Sequence, residues 1–319
     1  VGRLGADAAA TVGITESLMT IIYAVAIGLS IGATATVARR MGEKDPERAA
    51  RAAVQSLALG VMAGVAVGLV GAFFGPELLR AMGASDEVVR TGSTFARVML
   101  GMSGTVLMLF LGNAVFRAAG DAAIAMRVLW FANAINITLG PCLIFGLGPF
   151  PELGVTGAAV ATSIGRGSGV VYQFYRLTRG DSRIVIRARH LVPDPALMAS
   201  VLRLSGVAMF QNFIATASWM GLIRILTGFG SAAVAGNTIG IRIIMFALLP
   251  SFGVSNAAAT LVGQNLGAGK PERAEAAVWR AGLYNTVCLV AVGLGFLAFA
   301  PLLIGVFSSD PEVVPYGVR

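Results

Sequence analysis

The stretch Gly42-Glu-Lys-Asp-Pro-Glu-Arg-Ala49 returns as Gly267-Ala-Gly-Lys-Pro-Glu-Arg-Ala274, an offset of 225 residues. The same register pairs Gly28 with Gly253, Ser30 with Ser255, Val37 with Val262 and Pro76 with Pro301. It still holds at Glu87-Val88-Val89 and Glu312-Val313-Val314. A register kept ungapped over that length marks a duplicated unit. Both copies must then obey one symmetry rule, which restricts the possible folds more than any single motif.

What lies between the copies is apolar. Of 319 residues, 56% are hydrophobic and 13% charged, against about 25% charged in an ordinary soluble domain. The apolar runs reach the ~20 residues that a membrane helix needs. Eight spans are expected, over residues 8–38, 52–74, 94–116, 124–147, 156–175, 198–226, 232–262 and 277–299. The net charge of +8 does not point to nucleic acid, because Lys and Arg fall in the gaps between runs and not on one solvated face. Cys142 and Cys288 lie inside apolar runs and support neither a disulfide framework nor a metal site. A single histidine, His190, excludes chemistry that needs a histidine pair.

Basic residues mark alternate loops. Arg39, Arg40, Lys44, Arg48 and Arg51 surround the first loop, and Arg117 and Arg127 flank the third. Arg176, Arg179, Arg183, Arg187 and Arg189 follow the fifth span; Lys270, Arg273 and Arg280 follow the seventh. The intervening loops are nearly bare, so the basic loops are expected to be cytoplasmic in a bacterial-type inner (plasma) membrane. Within the repeated loop, Gly42 and Gly267 suit the left-handed residue that ends a helix. Pro46 and Pro271 suit the first turn of the next helix, with Glu47 and Glu272 at its positive end. Asp45 is a good N-cap and Lys270 a poor one. The plainest role for these loops is structural punctuation.

The first and seventh spans correspond, six spans apart, so both copies face the same way. The expected fold is therefore all-α and polytopic, with two parallel-repeat lobes. The lobes are expected over 1–180 and 197–319, joined by a cytoplasmic linker over 181–196. Six spans per lobe make twelve, so the chain, which opens on Val1 without a signal peptide, is expected to be a fragment. The missing spans would be the first and the last three.

Three segments carry a family resemblance: Gly263-Gln-Asn-Leu-Gly-Ala-Gly269, Asn133-Ala-Ile-Asn-Ile-Thr-Leu-Gly-Pro-Cys-Leu-Ile-Phe-Gly146 and Gly154-Val-Thr-Gly-Ala-Ala-Val-Ala-Thr162. They resemble the multidrug and toxic compound extrusion (MATE) family, and the resemblance covers essentially the whole chain. It implies a secondary antiporter, not an enzyme. Such a protein exports organic, often cationic, drugs in exchange for protons or sodium, by alternating access to a cleft between the lobes. It implies small organic molecules, a coupling ion and the bilayer as partners, no cofactor, no nucleic acid and a monomeric state. Many family members carry an Asn followed four residues later by an Asp. Asn136 matches, but the Asp position is Gly140 here. A family Glu near Gln211 is likewise uncharged in this chain.

Ionisable groups inside spans are candidates in their own right, since a charge at mid-bilayer costs about 2.5–3.5 kcal/mol even on insertion scales. Arg166, midway along the fifth span, could line the cleft, or be held by backbone carbonyls between helices with Gly165, Gly167 and Gly169 allowing close approach. Arg242 is similar. Glu16 is the one acidic residue well inside an apolar run, as a proton-coupling group or a solvated residue at a cleft mouth. Asn136, Gln211 and Asn212 could bond ion or substrate, or join helices. Pro141 and Pro250 are expected to kink or break their helices, and Pro250 with Gly253 is the hinge candidate. Gly60, Gly64, Gly68 and Gly71 form a ridge for close packing. The alternative function is a flippase of a related fold for lipid-linked oligosaccharides, with Arg166, Arg224 and Arg242 holding pyrophosphate.

Overall fold

A computed structural model describes residues 6–180, 182–307 and 314. Its helices are α1 (Ala6–Gly42), α2 (Pro46–Ala81), α3 (Asp86–Gly101), α4 (Ser103–Ala119), α5 (Ala122–Phe145) and α6 (Gly154–Arg179). After a 3-10 turn at Ala188–Leu191 come α7 (Pro195–Thr227), α8 (Ser231–Gly267) and α9 (Pro271–Phe307). No strand occurs among the described residues. Two compact units divide the chain, Val1–Met209 and Phe210–Arg319, so the division falls inside α7.

Among the described residues, seven helical segments are long and apolar enough to cross a membrane. They are Asp7–Gly42, Pro46–Ala81, Asp86–Ala119, Ala122–Phe145, Pro195–Thr227, Gly236–Gly267 and Pro271–Gly305. The fifth expected span, residues 156–175, exists as α6, whose 26 residues extend about 39 Å. It is not among the seven. Thr162, Ser163, Arg166, Ser168, Gln173 and Arg176 make it too polar for that group. The third span is also not one rod: Met102, at φ −90° and ψ 14°, separates α3 from α4.

The first unit is built on α1. Met19, Ile22, Ala26, Leu29, Ala33 and Val37 recur every three or four residues and are all buried. One helical face therefore enters the core, where Leu107, Leu111 and Val115 of α4 and Ala49, Ala53 and Leu57 of α2 join it. The glycine ridge of α2 packs as expected. A Cβ added at Gly64 would lie 2.6 Å from Gly104 Cα, and one at Gly68 would lie 2.7 Å from the Gly101 carbonyl oxygen. No side chain fits between those backbones. In the second unit α8 packs along α9, and Phe246, Trp279 and Leu297 are exposed.

Loop chemistry corrects two expectations. Gly42 and Gly267 end their helices but do not take the left-handed conformation. That role falls two residues later, to Lys44 (φ 57°) in the first copy and Gly269 (φ 67°) in the second. Glycine adopts that geometry freely and a lysine does so at a cost, so the second copy has the better residue there. Asp45 is the N-cap of α2, its carboxylate accepting from the Arg48 N–H at 2.9 Å. Arg40 donates to Glu43 at 2.7 Å across the same loop, and this bond holds the Glu43 carboxyl below its ordinary range. The second correction concerns proline. Helical dihedrals continue through Pro141 in α5 and Pro250 in α8. The recorded break in α2 lies at Phe74 (φ −107°, ψ 17°), two residues before Pro76. A proline forfeits one backbone bond and crowds the preceding turn, so a local distortion can absorb it without ending the helix.

Candidate functional site

The polar helix α6 meets α1 and α5 through a small set of side chains in the first unit. Arg166 is half-buried, and its Nη2 donates to the Tyr23 hydroxyl at 2.9 Å. The guanidinium carbon also lies 6.0 Å from the centre of the Tyr23 ring, at the outer limit of a cation–π contact. Phe110 of α4 steadies that ring from 6.1 Å away. One turn before Arg166, Thr162 donates to Asn136 Oδ1 at 3.4 Å, a long bond. Arg166 forms no ion pair among the described residues. The arrangement is a fixed positive charge steered by a phenol, beside an amide and a hydroxyl.

Close packing brings this set together. A Cβ at Gly165 would lie 2.7 Å from the Ala132 carbonyl oxygen and 3.0 Å from Asn136 Cβ, and one at Gly169 would lie 3.0 Å from Ala132 Cβ. Those two glycines permit the approach of α5 to α6. Gly167 does not share in it, since a Cβ there meets nothing within 4 Å. Arg166 is held by the Tyr23 hydroxyl, and no bond from it to a backbone carbonyl joins the helices among the described residues. Tyr23 and Thr162 were missed by the sequence reading. Tyr23 had a signal: it is the one aromatic residue in α1. Gly140, the position of the family Asp, is buried, yet an added Cβ meets nothing within 4 Å.

Glu16 lies on α1 about two turns before Tyr23 and is exposed. Gln211, Asn212 and Arg242 belong to the second unit. There Gln211 and Arg242 are exposed and Asn212 is half-buried, its carbonyl oxygen accepting from Thr216 at 2.9 Å. Pro250 and Gly253 are exposed on α8. Among the described residues no group of three or more His, Cys, Asp or Glu gathers as a metal site.

Two further polar clusters tie the first unit together. Buried Gln173 donates from Nε2 to the Leu109 carbonyl and to Asn113 Oδ1, each at 3.0 Å, joining α6 to α4. The segment after α6 straps back onto earlier helices. The Arg183 N–H donates to Asp121 Oδ2 at 2.7 Å, and His190 and Arg189 both engage Glu47. Gln55 donates to the Val192 carbonyl at 2.9 Å and accepts from the Asp194 N–H at 3.2 Å.

Comparison with known proteins gives this arrangement its context. The MatE family profile matches residues 1–142 and 208–319. A probable multidrug resistance protein NorM from Thermotoga maritima is 28% identical over 314 residues, covering 98% of this chain and 68% of the relative. An FAD transporter from Shewanella oneidensis is 25% identical over 316 residues, covering 99% of this chain and 70% of its own length. Among solved structures, a MOP superfamily transporter from Pyrococcus furiosus, described as having a binding pocket of reverse polarity, aligns with a TM-score of 0.90 at 28% identity. That alignment covers 100% of this chain and 71% of the other. An outward-facing multidrug resistance MATE family transporter aligns with a TM-score of 0.89 at 28% identity, covering 100% and 70%. The all-helical, multi-pass fold and the two-lobe architecture are those of transporters, not of enzymes. The chain belongs to the MatE family.

Proposed function

We propose that this protein exports organic solutes across the inner (plasma) membrane as a secondary active antiporter, exchanging them for protons or sodium. The observation that carries the reading is the Arg166–Tyr23 pair, a half-buried charge on α6 with no carboxylate partner among the described residues. Holding a cation at membrane depth costs several kcal/mol unless a solute or helper group repays it. Asn136 and Thr162 supply neutral hydrogen-bonding capacity beside it. Such a set favours solutes with a neutral or anionic part over simple organic cations. Relatives described as multidrug resistance proteins and as an FAD transporter are compatible with that breadth.

In this reading residues 1–180 and 197–319 are two lobes, and residues 181–196 are the cytoplasmic linker between them. Solute and coupling ion compete for the two access states, so ion entry drives release outward; only differential affinity can shift that balance. Glu16 is the candidate carboxylate for the ion. Gln211, Asn212 and Arg242 are the second lobe's contributions, and Pro250 with Gly253 is the hinge. The basic loops face the cytoplasm, and the working unit is a monomer.

The test uses everted membrane vesicles containing the protein. Uptake of a fluorescent organic cation and of a fluorescent organic anion is followed under an imposed proton gradient and, separately, a sodium gradient. Uptake driven by either gradient supports antiport and names the ion. Uptake of the anion in preference to the cation supports the role given to Arg166. No gradient-driven uptake of either, in properly inserted protein, would overturn the antiporter reading and favour a flippase.

A further inference from the structure

The hairpin between α1 and α2 and the start of α7 line an open pocket of about 370 Å³ within the first unit. Its lining includes three guanidinium side chains, Arg40, Arg48 and Arg51, with Ser200 and one carboxylate, Asp194. Asp194 is already engaged, its Oδ1 accepting from the Leu197 N–H at 3.0 Å. Arg40 pairs with Glu43 at 2.7 Å and Arg48 with Asp45 at 3.2 Å. The Arg48–Asp45 pair is exposed and the Arg40–Glu43 pair half-buried, and pairs in contact with solvent are weak and exchange readily for a better acceptor. The Arg51 side chain has no ion pair or hydrogen bond among the described residues. The pocket thus offers one unmatched guanidinium and two that can turn toward an anion.

Just before Asp194 in the chain two large apolar side chains are exposed, Leu191 at 63% and Val192 at 70%. Gln55 grips both regions at once, through the Val192 carbonyl and the Asp194 N–H. The depth is also informative. The pocket lies where two spanning helices end and begin, at Gly42 and Pro46. Arg51 is about 7.5 Å along α2 from its start, comparable to the roughly 5–8 Å of headgroup layer on each side of the hydrocarbon. A soluble phosphate compound would use the arginines and leave Leu191 and Val192 in water. A phospholipid uses both.

We propose that this pocket binds the phosphate of an anionic phospholipid, whose acyl chains run past Leu191 and Val192 into the bilayer. The lipid then bridges the α1–α2 hairpin to the segment that leads into α7. Its chemistry is distinct from that of the Arg166–Tyr23 pair, and it does not depend on which solute is carried.

The test is thermal unfolding of the purified protein in detergent during titration with four probes. These are dioleoylphosphatidylglycerol, dioleoylphosphatidylcholine, glycerol 3-phosphate and inorganic phosphate. Phosphatidylglycerol should raise the midpoint saturably while the other three do not. Arg51→Gln should weaken the apparent affinity for phosphatidylglycerol about tenfold, the scale of one lost charge-assisted contact, and Arg51→Lys should recover much of it. Leu191→Ser with Val192→Ser should weaken it as well. Arg280→Gln, a basic residue of the second unit, should change nothing. Native mass spectrometry of bound lipid gives a second readout that does not depend on unfolding. Equal protection by glycerol 3-phosphate would assign the pocket to a soluble phosphate compound and overturn the lipid proposal. Phosphatidylglycerol binding unchanged in Arg51→Gln would overturn the site itself.

Discussion

His190 donates from Nε2 to the Glu47 carboxylate at 2.7 Å, across 143 positions of sequence. Its Nδ1 accepts from the Arg187 N–H at 3.1 Å, which leaves the ring proton on Nε2 and fixes the direction of the bond. The ring is only 1% exposed. Glu47 belongs to the duplicated loop, yet its counterpart Glu272 has no ion pair among the described residues. The same motif residue therefore anchors a strap in one copy and serves as helix-start chemistry alone in the other.

His190→Ala should loosen that strap. Two hydrogen bonds to a buried ring are lost, and a loss of about 1–3 kcal/mol is expected, with faster protease cleavage around Arg183 and Arg187. Glu272→Gln is the matched control and should leave both stability and cleavage unchanged. Equal cleavage rates in wild type and His190→Ala would show that the strap contributes nothing.

At the candidate site, Arg166→Ala should lower transport of anionic or neutral probes by about tenfold, the value of a charge-assisted bond, without preventing membrane insertion. Tyr23→Phe keeps the ring and removes only the hydroxyl, so a smaller loss of about two- to fivefold is expected. Transport untouched in both variants would make the pair a structural bridge.

Helix packing can be probed on one ridge. Gly64→Ala forces a methyl group against Gly104 backbone, which cannot move aside, and should cost about 1–3 kcal/mol. Gly60→Ala meets Leu111 Cδ1 at 2.8 Å, the far end of a side chain that can rotate, and should cost under about 1 kcal/mol. Thermal unfolding in detergent separates the two, and a reversed order would contradict the packing described here.

Loop orientation is testable after replacing Cys142 and Cys288 with serine. Single cysteines at Glu43 and Ser182 should label only from the cytoplasm, and one at Glu152 only from outside. The opposite pattern would invert the topology.

The Glu43–Arg40 bond predicts a small acid sensitivity. Because the bond lowers the folded-state pKa of Glu43, its stabilisation is present above the unfolded carboxylate value of about 4.3 and is lost as pH falls through the lower folded value. Glu43→Gln should therefore lie slightly below wild type at pH 7 and converge with it in acid. A difference that grows on acidification would reverse the assigned sign.

Much of the architecture was legible because its signals are local. The long apolar runs, the Asp45 cap and the α2 glycine ridge each depend on residues within a few turns. The loop after α1 was read less well: the left-handed residue proved to be Lys44, since a lysine carries no compositional mark of that conformation. The break at Met102 was also unread: no proline marks it, and the small residues beside it, Gly101, Ser103 and Gly104, suit close helix packing as well as a break.

By itself the sequence determined an all-helical membrane chain with a duplicated, parallel unit, because helix length, hydropathy and repeat register are properties of neighbouring residues. Arg166 and Asn136 could be picked out as polar groups at membrane depth for the same reason. Only the tertiary structure decided that Arg166 meets Tyr23, 143 positions away, while Thr162 meets Asn136. Such pairings depend on how each helix is rotated about its own axis against its neighbours. That rotation is set by the steric fit of small residues, such as Gly165 against Ala132, which no single segment contains.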